Sequence, residues 1–441
     1  MERLPRLAAA RRPCEHSPAS EPHIGVARLQ QGAGFHRQEL GRRWTTDELL
    51  ALSKSLPAKT APGEAWEYNN GGYAVLGAIV EKLTGKPWYD AVQERISRPL
   101  GLSSIRYAVG ADTAARYVPS GSGGQPVEGI DMSIAGAAGA LVGNVGDMAK
   151  WANALHSGKV VRPDLYAEMI RPATLNSGKT FPYGFGLHLR RLLDKPMIEH
   201  GGSGRGIDTA SAYLPDDKLF VAVFANANGL PTDSSDVMRR IAAAALGSPF
   251  PAFTEVPVDA GTIAPLLGRY GSGGQEVRFL RRKDDYFVAV GDDEVRVLAA
   301  GNDRFFSASS SLNWVQFIRG ADGALSIQMN NASSARPRLH PRIGDLPAVA
   351  PVKAPAAVLR TYVGRYRTET LPVTVSVAAD GDLIMQAEGQ APMPLRAVSE
   401  TEFRTEDNRM RIVFHPEDGK TDRFTIHRGA RELHGVRVSA D

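Results

Sequence analysis

With 441 residues, 43% of them hydrophobic and 23% charged, the chain has the make-up of a globular protein of two to four domains. A formal net charge of +4 is too small over this length to signal a nucleic-acid partner. A single cysteine, Cys14, excludes an internal disulfide framework or a cysteine-rich metal site, the ten histidines form no ligand-spaced cluster, and no apolar run reaches the ~18 residues of a membrane span. Neither a metal nor another cofactor is expected.

Residues 1–43 hold eight Arg (3, 6, 11, 12, 28, 37, 42 and 43) against four Glu (2, 15, 21 and 39), without sustained apolar periodicity, and read as disordered. Interleaved Glu and Pro argue against a nucleic-acid or membrane arm. Leu7–Ala10 is too short for a secretory leader and Arg11–Arg12 interrupts it, so the chain as given is expected to stay cytoplasmic. Ordered sequence is expected from Trp44, with Thr45 or Thr46 capping a helix that carries Leu49, Leu50 and Leu52.

A loop then delivers Trp66-Glu67-Tyr68-Asn69-Asn70 to the mouth of a second helix. Asn69 or Asn70 supplies the cap, because a short side-chain carbonyl accepts from the free N–H groups of the first turn. Tyr73, Leu76, Val80 and Leu83 recur at helical spacing as one apolar face, and Gly85 and Pro87 end the helix. Tyr68 and Asn70 form either a proton handler with a substrate-orienting amide, or a helix cap with a surface phenol. A further helix carries Trp88, Val92 and Ile96 on one side and stops at Pro99.

Residues 108–145 read as a long Gly- and Ser-rich loop, of the kind that borders sites. Asn144, with Asp147 three positions on, starts a helix through Met148, Trp151 and Leu155. Three strands follow, Phe185–Leu192, Asp208–Leu214 and Leu219–Asn226, the last two joined by a Pro215–Lys218 turn. Ser234 or Ser235 caps a helix through Val237, Met238, Ile241 and Leu246. Pro249, Pro251 and Pro257 mark a linker at 249–262.

Beyond it the pattern alternates, and it repeats. Leu267-Gly268-Arg269-Tyr270 returns 96 residues later as Val363-Gly364-Arg365-Tyr366, and Asp322-Gly323 returns at the same offset as Asp418-Gly419. Two copies of one β module are expected, at 263–335 and 357–441, joined by a Pro-rich linker at 336–356. Each is long enough for a small barrel of short strands.

Tyr68-Asn69-Asn70, followed by Gly-Gly-Tyr-Ala-Val-Leu-Gly-Ala-Ile-Val-Glu-Lys-Leu-Thr-Gly, resembles the Tyr-x-Asn motif of class C β-lactamases and related penicillin-binding-protein-type serine hydrolases. Arg98-Pro99-Leu100-Gly101-Leu102 resembles the family's Pro-Leu-Gly-Met turn, and Gly139–Ala149 its Gly-Gly-Leu-x-Ser-Thr-x-x-Asp-Met-Ala run. His200-Gly201-Gly202-Ser203-Gly204-Arg205-Gly206 matches its His-x-Gly motif. The resemblance implies an α+β fold: a β-lactamase/transpeptidase-like domain at 44–248, an antiparallel sheet flanked by helices with its N-terminal part missing, ahead of the two all-β barrel-like modules. It implies acyl transfer at an amide or ester of a small molecule or short peptide: a β-lactam, a D-amino-acid peptide or an ester. Tyr68 and Asn70 would join His200 and Gly202 as catalytic groups, with Gly201 and Ser203 touching substrate. For Tyr68 to work near neutrality, cations close by should lower its pKa or hydrogen bonds should poise its proton. The layout resembles bacterial D-aminopeptidases, and such enzymes are usually periplasmic or secreted.

The family's nucleophile motif, Ser-x-x-Lys, is absent: no serine in the chain has Lys three positions later. Ser103-Ser104-Ile105-Arg106 ends in Arg, Ser53-Lys54 has the wrong spacing, and Ser203 has no Lys nearby. The expected explanation is an N-terminally incomplete or frame-shifted member, which would leave one side of the Leu219–Phe224 strand uncovered. Three functions follow as alternatives: a serine hydrolase of amides or esters whose nucleophile is not visible in this sequence, a pseudo-enzyme that binds peptidoglycan-like peptides, or a binding protein that acts through its β modules. Oligomeric state is left open.

Overall fold

The computed structural model describes residues 41–438 apart from 56–59, 111–112, 121–122, 128–130, 231, 283, 292, 348–353, 369–371, 379–380, 389, 391, 406–409, 418–419 and 429–430. The expected disorder of the N-terminal stretch lies, up to residue 40, outside the described residues. The chain forms two compact units, one running to Pro251 and taking in Asn331–Arg336, the other formed by Ala252–Asn330 and Pro337 onward.

In the first unit, helix α1 (Thr46–Ser55) opens with a reciprocal cap. The Glu48 amide donates to Thr45 Oγ1 at 3.2 Å, and the Thr45 amide donates to Glu48 Oε2 at 2.7 Å. Helix α2 (Asn70–Thr84) is capped by Asn69, whose Oδ1 accepts from the Gly71 amide at 2.8 Å. Gly85 closes it in the left-handed conformation, its amide donating to Glu81 O at 2.8 Å.

The face that α2 buries is only partly the expected one: Val80 packs against the core and Tyr73 is half-buried, but Leu76 and Leu83 lie outside it. Ala74 and Gly77 are its buried residues, and Ala74 packs in a core with Trp44, Leu49, Trp88, Ile134 and Ala135. Leu76 and Leu83 are 45% and 60% exposed. Small residues let the helix approach its neighbours closely: a methyl group at Gly77 would sit 2.7 Å from Ala137 Cβ. The larger side chains Val75 and Ile79 instead border an open 620 Å³ groove shared with Leu50 of α1.

Helix α3 (Trp88–Val92) widens into a π turn over Gln93–Ser97. The stretch expected as one long loop contains short strands and a 3₁₀ segment. Strand β1 (Arg106–Tyr107) pairs with β4 (Leu141–Val142), and β2 (Tyr117–Ser120) pairs with β3 (Gly123–Pro126). A 3₁₀ segment at Met132–Ala138 contributes Ile134 and Ala135 to the core. Helix α4 (Val145–His156) is capped by Asn144 as expected, the Asp147 amide donating to its Oδ1 at 2.9 Å. Asp147 accepts from both the amide and the hydroxyl of Ser104 at 2.7 Å, tying the Pro99–Leu102 turn to the start of this helix. Lys150 and these Ser104 bonds hold its carboxyl down at about 2.

After α5 (Pro163–Met169) and the paired β5 (Ala173–Thr174) and β6 (Thr180–Phe181) comes an antiparallel sheet. It has four strands where three were expected: β7 (His188–Leu192), β8 (Lys195–Gly204), β9 (Ile207–Leu214) and β10 (Leu219–Ala225), in the order β10-β9-β8-β7. The unforeseen strand is β8, which contains the His-Gly-Gly motif. Leu193 and Asp194, which turn the chain between β7 and β8, both take positive φ without being glycine. Their amides donate to Ala332 O and Ser333 O at 3.0 and 2.9 Å, which offsets the strain. Helix α6 (Ser234–Ala245) lays Met238 and Ala242 on Ala210, Ala212, Leu214 and Val221. Its cap is Asp233 rather than Ser234 or Ser235: the Asp236 amide donates to the Asp233 carboxylate at 2.7 Å.

The second unit holds two closed eight-stranded barrels, as the repeat implied. A short helix α7 (Ala260–Ile263) precedes the first, and α8 (Ala356–Tyr362) the second. Strand β11 (Gly268–Ser272) opens the first barrel, which runs through β12 (Gln275–Arg282), β13 (Asp285–Val290), β14 (Asp293–Gly301), β15 (Arg304–Ser307), β16 (Trp314–Arg319) and β17 (Leu325–Asn330). Strand β18 (Arg338–Gly344) closes it on β11. The second runs through β19 (Gly364–Thr368), β20 (Val373–Val377), β21 (Leu383–Ala387), β22 (Met393–Ala397), β23 (Glu402–Thr405), β24 (Arg411–Glu417) and β25 (Lys420–Arg428) to β26 (Arg431–Arg437), which closes on β19. Closure removes the exposed sheet edges that short strands would otherwise carry.

The repeated Gly-Arg-Tyr has one structural job. Tyr270 and Tyr366 are fully buried, and each hydroxyl donates to the carbonyl four residues back, Leu266 O and Tyr362 O. The guanidinium of Arg342 on β18 donates to Leu267 O, and that of Arg437 on β26 donates to Val363 O, so the same bond is made in each copy.

Candidate active site

Four elements converge on the Tyr68 ring. The loop before α2 supplies Trp66 and Tyr68, the end of β6 with the chain after it supplies Phe181 and Tyr183, β7 supplies His188 and β8 supplies His200. The His188 and His200 rings lie 6.5 and 6.0 Å from Tyr68, the former stacked, and Tyr183 meets it edge-on at 6.1 Å. Trp66 stacks on Phe181 at 5.5 Å and leans on Tyr183 at 5.2 Å, which backs the cluster with apolar surface.

His200 is oriented by two bonds. Its Nδ1 lies 2.7 Å from Gly201 O, which only accepts, so Nδ1 carries the hydrogen. Nε2 of the neutral ring is then an acceptor and takes the Tyr183 hydroxyl at 3.3 Å. Tyr183 is also hydrogen-bonded to Tyr73, in the first turn of α2. A chain Tyr73–Tyr183–His200–Gly201 thus links the Tyr-x-Asn helix to the His-Gly-Gly strand. Burial keeps His200 neutral by lowering its pKa, and burial takes His188 down to about 3.

Tyr68 departs from the expected electrostatics. Burial raises its pKa, and among the described residues neither a cation nor a hydrogen-bond partner attends its hydroxyl. Its neighbours are uncharged rings, which desolvate the phenol without stabilising a phenolate. In this arrangement Tyr68 holds its proton and can donate it.

Gly201 and Gly202 sit inside β8, opposite Ala210 and Thr209 of β9. On the other side β7 pairs with β8 only as far as His188 opposite Glu199, so among the described residues β8 is paired along one edge from His200 onward. Both glycines are exposed there. Close approach within the sheet demands Gly201: a Cβ would stand 2.6 Å from Thr209 O. At Gly202 the nearest atom would be Thr209 Oγ1 at 3.3 Å, so space on the open side is the requirement there.

The other expected residues are placed without being drawn into the cluster. Asn70 is the first residue of α2, two positions past Tyr68, and its amide has no partner among the described residues. The Ser203 hydroxyl donates to Ile207 O at 3.4 Å across the β8–β9 turn. Glu199, next to His200, is buried and held by both of its oxygens on Arg239 of α6, at 2.9 and 2.8 Å, which anchors β8 from below. Tyr183 and His188 escaped the sequence reading. The one signal available was Tyr183-Gly184-Phe185-Gly186 ahead of a strand; His188 meets His200 only through the hairpin register.

Among the described residues no group of His, Cys, Asp and Glu is arranged to hold a metal, and no helix is long and apolar enough to cross a membrane.

The family model Beta-lactamase matches residues 22–246, about half of the chain, and so begins upstream of the expected onset at Trp44. The D-aminopeptidase of Brucella ovis is 29% identical over 194 residues, 43% of this chain and 36% of that protein; that of Brucella anthropi is 29% identical over 191 residues. The chain therefore aligns with about a third of the length of these relatives. Among solved structures, a D-stereospecific amidohydrolase from Streptomyces sp. is 26% identical with a TM-score of 0.39, covering 46% of this chain and 62% of that one. The octameric penicillin-binding protein homologue from Pyrococcus abyssi is 22% identical with a TM-score of 0.44, covering 72% and 74%. Matched by that family model over about half of its length, the chain belongs to the beta-lactamase family of hydrolases.

Proposed function

We propose that the first unit is an acyl-transfer site for the amide or ester of a D-amino-acid peptide or a related small acyl compound, and that this chain, lacking Ser-x-x-Lys, binds such compounds without turning them over. The observation that carries the reading is the meeting of Tyr68 with a neutral His200 whose ring bonds Gly201, where β8 runs past its last pairing with β7 among the described residues. A substrate carbonyl there would meet backbone donors, and its leaving group would face the Tyr68 hydroxyl. The D-aminopeptidase relatives support the D-amino-acid class.

Two measurements test this on the full chain. A fluorescent penicillin or a fluorophosphonate should leave no covalent adduct in the intact mass. A D-alanyl dipeptide amide should bind saturably, and Tyr68→Ala should weaken it about tenfold, or ~1.4 kcal/mol. An acyl adduct would show that a nucleophile is present and overturn the non-catalytic part; failure of every such ligand to bind would overturn the site itself. Binding retained by Tyr68→Ala and lost on changes in the barrels would move the activity to the second unit.

A further inference from the structure

Strands β7 and β8 are joined by only two residues, Leu193 and Asp194, between the paired Leu192 and Lys195. Both have positive φ, 49° and 65°. A two-residue hairpin asks for this backbone, and Asn-Gly or Asp-Gly ordinarily supplies it; a leucine there is strained. The type and length of the turn set the register of a hairpin, and a slip of one residue sends every side chain of a strand to the other face. The side chains of β7 specify that register weakly: of its five residues only Leu192 is buried, and Arg190 and Arg191 are exposed.

A segment outside the hairpin holds the turn. Asn331–Arg336 belongs to the first unit, although the residues on either side of it belong to the second. Its own bonds fold it: the Ser333 amide donates to Asn331 Oδ1 at 2.9 Å, and the Arg336 amide donates to Ser334 Oγ at 3.1 Å. The carbonyls of Ala332 and Ser333 accept the two turn amides, at 3.0 and 2.9 Å. The Asp194 carboxylate bonds in the other direction, its Oδ2 accepting from the Ala335 amide at 3.0 Å and from the Ser334 hydroxyl at 3.2 Å. Ala332 and Leu193 pack together against the core of Leu192, Met197 and Met238. Donors of the turn meet acceptors of the segment and the reverse, so each conformation selects the other.

We propose that Asp194 is a positioning residue for the Tyr68 site: gripped by Asn331–Arg336, it fixes the β7–β8 register that sets His188 opposite Glu199 and beside His200. This rests on the reading of that site as one that binds an acyl ligand. Asp194 acts through the turn, without touching the ligand.

Three single substitutions at this one exposed position separate the turn from the rest of the fold. Asp194→Ala removes the carboxylate and leaves a backbone conformation that alanine resists. It should weaken binding of a D-alanyl dipeptide amide about fivefold and shift the His200 Nδ1–H signal in NMR. Asp194→Asn keeps an acceptor oxygen and tolerates positive φ, and Asp194→Gly removes the strain itself; both should bind within about twofold of the parent, with the His200 signal in place. Melting temperatures are read beside the dissociation constants. If Asp194→Ala lowered only the melting temperature and left affinity and the His200 signal as in the parent, Asp194 would be merely structural and the proposal overturned. Asp194→Gly or Asp194→Asn as impaired as Asp194→Ala would overturn it too, because turn geometry would then not be what Asp194 supplies. Should the parent bind no such ligand, the reading of the site fails, and the His200 signal in the same three variants still decides for or against the positioning role.

Discussion

At the scale of single residues, protonation is governed by burial. His188, lowered to about 3, and His156, lowered to about 4, are both depressed chiefly by desolvation from an ordinary value of 6.5. A folded-state pKa below the unfolded one means that the unfolded chain binds more protons between the two. The stability these residues lend is complete above about 6.5 and drains away as pH falls toward 4 and 3. Urea midpoints at pH 7.5 and pH 5 should differ in that direction, and His188→Gln should reduce the difference. Tyr183→Phe removes the hydroxyl that donates to His200 Nε2. It should cost about 1 kcal/mol, the usual worth of one such bond, measured by the same denaturation. The His200 Nδ1–H bond to Gly201 O should survive, visible as a downfield imidazole proton in NMR.

At the scale of elements, α2 shows that a helix is held by what it lies against. Gly77 approaches Ala137 and Trp88, whereas Leu83 reaches into solvent. Gly77→Val should therefore destabilise by about 1–3 kcal/mol through overpacking, although Val is the more hydrophobic residue. Leu83→Glu should lie within about 0.5 kcal/mol of the parent, although it removes a leucine from the expected apolar face. Thermal melts of the pair decide between the small-residue face and the spacing-derived one. The barrels show compensation of the same kind. Ile327 pairs with His340 in the first, and Phe424 with Gly435 at the matching position of the second. A Cβ at Gly435 would lie 2.3 Å from the Phe424 ring, so the larger ring needs the empty partner.

At the scale of the whole molecule, two compact units have separate cores. One is centred on Leu192, Met197, Ala212 and Met238, and the barrels are centred on Tyr270, Phe279 and Phe317 and on Tyr366, Phe414 and Phe424. Calorimetry should resolve more than one transition, because two-state behaviour holds for single domains rather than assemblies of them. Phe279→Ala should cost ~3–5 kcal/mol in its own barrel and lower one transition. If every transition fell together, the units would be cooperative, contrary to this division.

The order of residues carried the motifs and the repeat. Tyr68, Asn70, His200 and Gly202 stood out because their motifs concentrate functional groups within a few residues. The two barrels stood out because Gly-Arg-Tyr performs the same hydrogen bonding in each, and Thr45, Asn69 and Asn144 announced their helices because capping is local. What depended on distant partners was not legible. The β7–β8 register rests on the non-glycine positive-φ turn at Leu193 and Asp194, and without that register His188 and Tyr183 have no reason to meet His200. Periodicity marked an apolar side of α2, but Trp88, Ile134 and Ala137 decided which side would be buried. A sequence determines which groups are present and which turns are cheap; the tertiary structure decided which rings surround Tyr68 and raise its pKa, because burial is a property of the neighbours rather than of the residue.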